Sequence, residues 1–195
     1  MKALLSTKVG PPEALEYGDA PDPVAGEGEV VIAVKAAGVN FPDALIIEDK
    51  YQFKPERPFA PGGEIAGVIE SLGPGVTNVK VGQRVIGSLG WGGMAEKVKT
   101  QAQRVLPIPD DMPFDDASAF ILTYGTSYYG LKDRGHLQAG ETLLILGAAG
   151  GVGVAAIELG KAMGARVVGA VSSEAKAEFA KAAGADATVI YPPGA

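Results

Sequence analysis

The pattern of apolar and polar positions divides the chain into two parts. In the first part, apolar residues form short runs at 30–34, 65–69, 84–86, 94–98 and 104–108. Glycine and proline separate these runs, and several of the runs are rich in β-branched residues. Short strands broken by turn residues are typical of a small barrel or sandwich, so the first part is predicted to be β-rich.

The second part alternates between helical and strand patterns. A helix is predicted to start near Asp115 or Asp116, either of which could be its N-cap, and to continue towards Leu131. Apolar strands are then predicted at 143–146, 166–171 and 188–191, with helices at 152–163 and 173–183. This β-α-β-α-β order is half of a doubly wound parallel sheet. The prediction is therefore an α/β protein with domains at 1–120 and 121–195.

Composition and charge exclude several kinds of partner and site. The net charge of −6 argues against nucleic acid or an anionic membrane as the main partner. The chain has no cysteine and a single histidine, His136, so the prediction is that it holds no metal. No targeting segment is recognisable, and the apolar stretch at 143–157 is too short to cross a bilayer. We expect a cytoplasmic protein.

A glycine-rich turn follows the first strand of the second part. Aligned with the G-x-G-x-x-G pattern, it has Ala148 in the first glycine position and Gly150 and Gly153 in the other two. Gly150 would let the backbone approach a pyrophosphate, and Gly153 would let the following helix pack close to the strand. The alternative is a tight packing turn that binds no ligand.

The end of the second predicted strand distinguishes NADPH from NADH. Binders of NAD place an acidic residue there for the ribose hydroxyls. This chain has Ser172 and Ser173 at that place, followed by Glu174 and then Lys176. Two hydroxyls and an ammonium favour a 2′-phosphate, and hence NADPH. The alternative is that one serine merely caps the next helix while Lys176 is solvated.

Several motifs together carry a resemblance to a known family. They are AGVNFPD at 37–43, KY at 50–51, PGGEIAG at 61–67, GQRV at 82–85, GGMAE at 92–96, YGTSYY at 124–129 and the glycine turn. The chain resembles the N-terminal part of a medium-chain dehydrogenase/reductase, in the zinc-free, ζ-crystallin-like quinone oxidoreductase branch. The resemblance implies a GroES-like β-rich barrel domain that lacks its C-terminal return, followed by the first half of a Rossmann domain.

The resemblance also implies a site without zinc. Gly63 stands where the zinc branch has a ligand histidine, and the ligand cysteine of that branch lies near Asn40. Asn40 would lie beside the nicotinamide and the substrate, and Tyr51 would line the substrate pocket. Two alternatives stay open, since Asn40 could be a turn residue and Tyr51 ordinary core.

The same resemblance implies the cofactor contacts. They are Thr126 near the nicotinamide, Gly150, Gly151 and Val152 at the pyrophosphate, and Ser172, Lys176 and Tyr191 around the 2′-phosphate. Tyr191 could instead be no more than the end of a strand.

The predicted function is hydride transfer from NADPH to a quinone or an α,β-unsaturated carbonyl, without zinc. The proton donor would be Tyr51 or a bound water. The alternatives are a non-catalytic fragment or binding protein on the same fold, and an acyl-CoA enoyl reductase. The chain is expected to be truncated, and the full-length protein to be a homodimer.

Overall fold

The chain forms two compact units in a computed structural model that describes residues 1–191. The first unit is Met1–Ile121, and the second begins at Leu122. Each unit has its own buried apolar clusters.

The first unit is built mainly from antiparallel strands. Its strands are β1 (Lys2–Leu5), β2 (Glu16–Asp19), β3 (Glu29–Gly38), β4 (Glu64–Leu72), β5 (Arg84–Ser88), β6 (Lys97–Gln101) and β7 (Val105–Pro107). Strands β1 and β2 pair with each other, and the other five form one sheet in the order β6-β3-β4-β5-β7. Its helices are α1 (Phe41–Ile47) and α2 (Phe114–Ser118), with single 3₁₀ turns at Pro12–Ala14 and Ala102–Arg104.

The five-stranded sheet carries a core of aliphatic side chains and has an irregular strand. Strand β3 has two register shifts against β4, between Val31 and Ile32 and between Val34 and Ala36. Such bulges bend a strand and increase its twist. Ile32, Ile65 and other apolar residues of the strands form the buried core. The predicted β-rich first part is therefore confirmed.

Two strand predictions in this unit need correction. The run at 94–98 was expected to be one strand, but β6 begins only at Lys97. The backbone of Met94 and Glu96 pairs instead with β1, which the sequence did not predict. The predicted strand at 104–108 is shorter, since its first residue ends a 3₁₀ turn.

The second unit is a three-stranded parallel sheet with helices. The strands are β8 (Thr142–Leu146), β9 (Arg166–Val171) and β10 (Ala187–Ile190), in the order β10-β9-β8. Helix α4 (Gly151–Ala162) connects β8 to β9, and α5 (Glu174–Ala182) connects β9 to β10. Ile157, Val167 and Ala180 are fully buried in the cluster between the sheet and these helices. The predicted half of a doubly wound sheet is confirmed.

The long helix expected from 115 towards 131 is broken. Helix α2 ends at Ser118, and the chain then forms π-helical segments at Ile121–Gly125 and Tyr129–Arg134 around a short α-helical turn, α3 (Thr126–Tyr128). Glycine and β-branched or aromatic residues are poor helix formers, and the sequence here is rich in them.

The expected N-cap of this helix was also wrong. Pro113 holds the N-cap position of α2, and its carbonyl accepts from the Ala117 amide at 3.0 Å. Asp115 and Asp116 lie in the first turn instead, where their charges interact favourably with the helix dipole.

None of the helices among residues 1–191 is both long and apolar enough to cross a membrane.

Candidate functional site

Asn40 holds the N-cap position of α1, and a buried carboxylate fixes its backbone. The Asp43 side chain is 5% exposed, and its Oδ2 accepts from the Asn40 amide at 2.8 Å. Its Oδ1 accepts from the backbone amides of Gly62 and Gly63 at 3.1 and 3.0 Å. One carboxylate therefore joins the start of α1 to the loop before β4.

The side chain of Asn40 is held by a second buried carboxylate. Its Nδ2 donates to Glu64 Oε2 at 3.3 Å, and Glu64 is 1% exposed. The other oxygen of Glu64 accepts from the Ile121 backbone amide. Because an amide that donates through nitrogen presents its oxygen on the other side, Asn40 has a defined orientation.

Tyr51 lies in a small apolar cluster of the same unit. It packs, half-buried, against the buried residues Ile46, Ile47 and Phe59. Its ring meets the Phe53 ring edge to face, with centroids 5.6 Å apart. Asn40 and Tyr51 thus lie at opposite ends of the short segment that contains α1.

Sequence reasoning missed both carboxylates and α1 itself. The signal was present in Asn40, Pro42 and Asp43: an N-cap residue, a proline in the first turn and an acid at the third helical position. The motif around Glu64 was noted for its glycines and for the absent histidine, and not for the buried carboxylate.

The glycine turn has the steric features that the sequence predicted. A β-carbon added at Gly153 would lie 2.5 Å from the Gly147 carbonyl oxygen and 2.8 Å from the Ala148 α-carbon, which is too close for any side chain. At Gly150 an added β-carbon would meet only the Gly147 oxygen, at an ordinary 3.4 Å. Gly153 is therefore needed for packing, while the fold itself does not require Gly150.

A cavity of about 350 Å³ lies beside this turn. Its lining residues are Gly147, Ala149, Gly150, Val171, Ser172, Lys176 and Tyr191. Four of the predicted cofactor residues, from the turn, from the end of β9, from α5 and from the end of β10, therefore share one cavity. None of the lining residues within 1–191 is acidic. Because the carboxyl ends of parallel strands form the usual ligand crevice of such sheets, the position fits a bound nucleotide.

The two serines after β9 have different roles. Ser173 is the N-cap of α5, and its Oγ accepts from the Lys176 backbone amide at 3.4 Å. Ser172 does not cap the helix; its Oγ accepts from Lys176 Nζ at 3.0 Å. Ser173 therefore caps the helix, while Ser172 pairs with the Lys176 ammonium.

Three other predicted cofactor residues lie outside the cavity wall. Gly151 and Val152 begin α4, where the first amides of a helix have no carbonyl partner within the helix. Thr126 is exposed at the start of α3. Its neighbour Ser127 is buried and donates from Oγ to the Val152 carbonyl at 2.8 Å, which holds α3 next to α4.

A second hydrogen bond links the π-helical segment before α3 to α4. The Tyr124 hydroxyl donates to Glu158 of α4. This hydrogen bond to a carboxylate raises the pKa of Tyr124 above its ordinary value, and burial and the carboxylate charge act in the same direction. The phenol is therefore neutral at neutral pH.

No group of three or more His, Cys, Asp or Glu residues within 1–191 is arranged to hold a metal ion.

Two family descriptions match the two units. The "Alcohol dehydrogenase GroES-like domain" matches residues 26–110, and "Zinc-binding dehydrogenase" matches residues 151–193. The chain is 38% identical over 192 residues to the quinone oxidoreductase-like protein 2 homolog of Nematostella vectensis, covering 97% of this chain and 52% of that protein.

Two solved structures superpose on nearly the whole chain. A probable oxidoreductase from Mycobacterium abscessus superposes with a TM-score of 0.92 at 45% identity, over 100% of this chain and 62% of that one. The quinone oxidoreductase of Thermus thermophilus, whose complex with NADPH is also known, gives a TM-score of 0.85 at 37% identity, over 98% of this chain and 60% of that one.

A β-rich GroES-like unit followed by half of a Rossmann-type sheet is the architecture of a nucleotide-dependent dehydrogenase or reductase. The chain belongs to the medium-chain dehydrogenase/reductase superfamily, in its quinone oxidoreductase branch. It spans about half the length of the curated relatives that it matches.

Proposed function

We propose that the protein is an NADPH-dependent reductase of quinones or α,β-unsaturated carbonyls that works without zinc. The observation that carries the proposal is the cavity beside the glycine turn, whose wall combines Ser172, Lys176 and Tyr191 and has no acidic residue from the described part of the chain. When bound, NADPH supplies the hydride that such an acceptor takes up.

Selection of the 2′-phosphate would fall to Lys176 and Ser172. The 3.0 Å contact between Nζ and Oγ directs an ammonium and a hydroxyl towards the same cavity. An acid at the end of β9 would favour ribose hydroxyls and repel a phosphate. Since none lines the cavity, the local charge favours NADPH over NADH.

The pyrophosphate would lie at the start of α4. The amides of Gly151 and Val152 are among the unpaired donors of the first turn, and the helix dipole adds partial positive charge. The bare Gly150 backbone leaves room for a close approach, because an added β-carbon there would meet no closer atom than 3.4 Å. Thr126 would contact the cofactor towards its nicotinamide end.

The acceptor would lie near Asn40 and Tyr51. The Asn40 amide, held by Glu64 at 3.3 Å, would offer its oxygen or nitrogen in a fixed direction to orient the reacting group. The proton that completes the reduction would come from the Tyr51 hydroxyl or from a water. Zinc would not be needed, because a quinone or enone is activated without a Lewis acid.

Calorimetric titration of the chain with NADPH and NADH tests the proposal. We expect NADPH to bind more tightly, and Lys176→Ala to weaken NADPH roughly 10- to 100-fold, the size of a hydrogen bond to a charged group. NADH affinity should stay unchanged. Lys181→Ala, which removes a charge from the other end of the same helix, is the matched control.

Equal binding of the two nucleotides, or equal loss of both in Lys176→Ala, would contradict the assignment of the 2′-phosphate site. A folded chain that binds neither nucleotide would contradict the reductase proposal for these residues.

A further inference from the structure

A second cavity lies in the first unit and has a different chemical character. Its volume is about 730 Å³, within the usual range for small-molecule sites. The turn after β5, at residues 88–91, forms one wall, and residues 99–101 of β6 form another. Neither the glycine turn nor any predicted cofactor residue lines it.

Two aromatic rings are open to this cavity. Trp91 is 44% exposed and Phe53 is 49% exposed, and both are lining residues. Aromatic side chains bury large areas when they pack, so two of them left open in one concave site offer a binding surface. Their flat faces suit a planar, conjugated ligand.

The charges of the cavity add up to one excess positive charge. Lys99 Nζ lies 3.3 Å from Glu29 Oε2, so these two charges offset each other. Hydrogen bonds from the Gly26 amide and then from Lys99 lower the pKa of Glu29, which keeps it ionised. Arg104 donates from Nη1 to the Leu89 carbonyl at 3.2 Å, and its side chain is paired with no carboxylate among residues 1–191.

The cavity adjoins the residues assigned to the acceptor. The Phe53 ring, which lines the cavity, also meets the Tyr51 ring edge to face. The Leu89 amide, in the cavity wall, donates to the Gly63 carbonyl at 2.7 Å. The Gly63 amide donates in turn to Asp43, the residue that fixes the backbone of Asn40.

We propose that this cavity binds a planar aromatic anion, with its ring against Trp91 and Phe53 and its negative charge at Arg104. The second half of the inference rests on the proposed function: the favoured acceptors are quinones or enones with an aryl group that bears a carboxylate, sulfonate or phosphate. Binding of the anion requires neither NADPH nor turnover.

The test uses the one tryptophan of the chain as a local probe. Toluenesulfonate and its neutral analogue toluenesulfonamide are titrated by calorimetry and by Trp91 fluorescence. We expect toluenesulfonate to bind more tightly and to change the Trp91 emission. Arg104→Gln should weaken toluenesulfonate roughly tenfold, the size of one charged hydrogen bond, and leave toluenesulfonamide unaffected.

Lys80→Gln is the matched control, since it removes an exposed positive charge outside the cavity. Equal affinity for the two probes, no effect of Arg104→Gln, or no binding of either probe would each overturn the proposal. Binding that leaves Trp91 emission unchanged would place the anion elsewhere and overturn it as well.

The acceptor half has its own measurement. Naphthoquinone sulfonate should bind more tightly than naphthoquinone and should be displaced by toluenesulfonate. If both quinones bind equally while toluenesulfonate still binds at Arg104, the cavity is an anion site unrelated to the acceptor. Neither the toluenesulfonate titration nor the quinone titration contains NADPH. A failure of NADPH binding would therefore contradict the proposed function without contradicting the anion site.

Discussion

Replacing Gly153 by alanine separates packing from ligand binding in the glycine turn. In an unobstructed helix, glycine to alanine stabilises by about 1 kcal/mol. Here the added β-carbon would lie 2.5, 2.8 and 2.9 Å from the Gly147 oxygen and from two backbone atoms of Ala148. Backbone cannot move aside as a flexible side chain can, and overpacking of this kind costs about 1–3 kcal/mol. Set against the gain of about 1 kcal/mol, this cost predicts that Gly153→Ala lowers the free energy of unfolding of the second unit by up to about 2 kcal/mol.

Gly150→Ala is the matched comparison in the same turn. The Gly150 backbone, with φ −85° and ψ 164°, is open to alanine, and its closest added contact is 3.4 Å. Losing a glycine N-cap costs less than about 1 kcal/mol. We therefore expect a small change in stability and a marked loss of NADPH affinity, because the added methyl group occupies the approach to the pyrophosphate.

The assay is urea denaturation followed by far-ultraviolet circular dichroism, with hydrogen exchange measured on peptides of α4. Tryptophan fluorescence would not serve, since Trp91 lies in the first unit. If Gly153→Ala is about 1 kcal/mol more stable than the parent, as in an unobstructed helix, the close approach of α4 to the turn is wrong, and so is the steric reasoning.

Three further predictions follow from other contacts. A hydrogen bond from Lys161, followed by one from the Val167 amide, holds the pKa of Asp186 below its ordinary value. The carboxylate therefore stabilises the fold above the ordinary pKa of an aspartate, and this contribution is lost as the pH falls through the lower folded-state pKa; Asp186→Asn should flatten this part of an acid-denaturation curve. Asp43→Ala removes the acceptor of three backbone amides at a buried site. It should lower the free energy of unfolding, measured by heat or urea, by about 3–5 kcal/mol, and a loss below about 1 kcal/mol would contradict these three hydrogen bonds. Leu144 and Leu146 are 59% and 75% exposed on the face of β8 away from α4, and an exposed apolar face of this kind is expected to make the chain self-associate. Leu146→Lys should reduce this self-association in light scattering without loss of stability, and an unchanged particle size would count against that face as the cause.

The alternating second unit could be read closely from the sequence. Buried parallel strands show continuous apolar runs, and glycines end the intervening helices, so β8, β9 and β10 fall within one or two residues of their predicted positions. The turn after β8 is short and local. Gly150, Ser172 and Lys176, which the family resemblance assigned to one cofactor, line one cavity beside the sheet.

Features that depend on distant contacts could not be read in the same way. Strand β1 is a strand because it pairs with β2 and with the backbone near Met94, far away in sequence. The hydrogen bond from Ser127 to the Val152 carbonyl joins residues 25 positions apart. The partnership of Asn40 with Glu64 likewise joins residues 24 positions apart.

The double attachment of Asp43 has a consequence for how such a protein can diversify. The start of α1 and the Gly62 loop are tied to one carboxylate, so the orientation of Asn40 cannot drift without a loss of folding. Phe53 carries no such constraint, since it is 49% exposed. In the proposed function, substitutions at exposed positions such as Phe53 can therefore change which acceptor binds, while the orientation of Asn40 stays the same. A buried carboxylate that fixes one polar side chain, next to exposed apolar positions that can be substituted, favours the evolution of new substrate specificities.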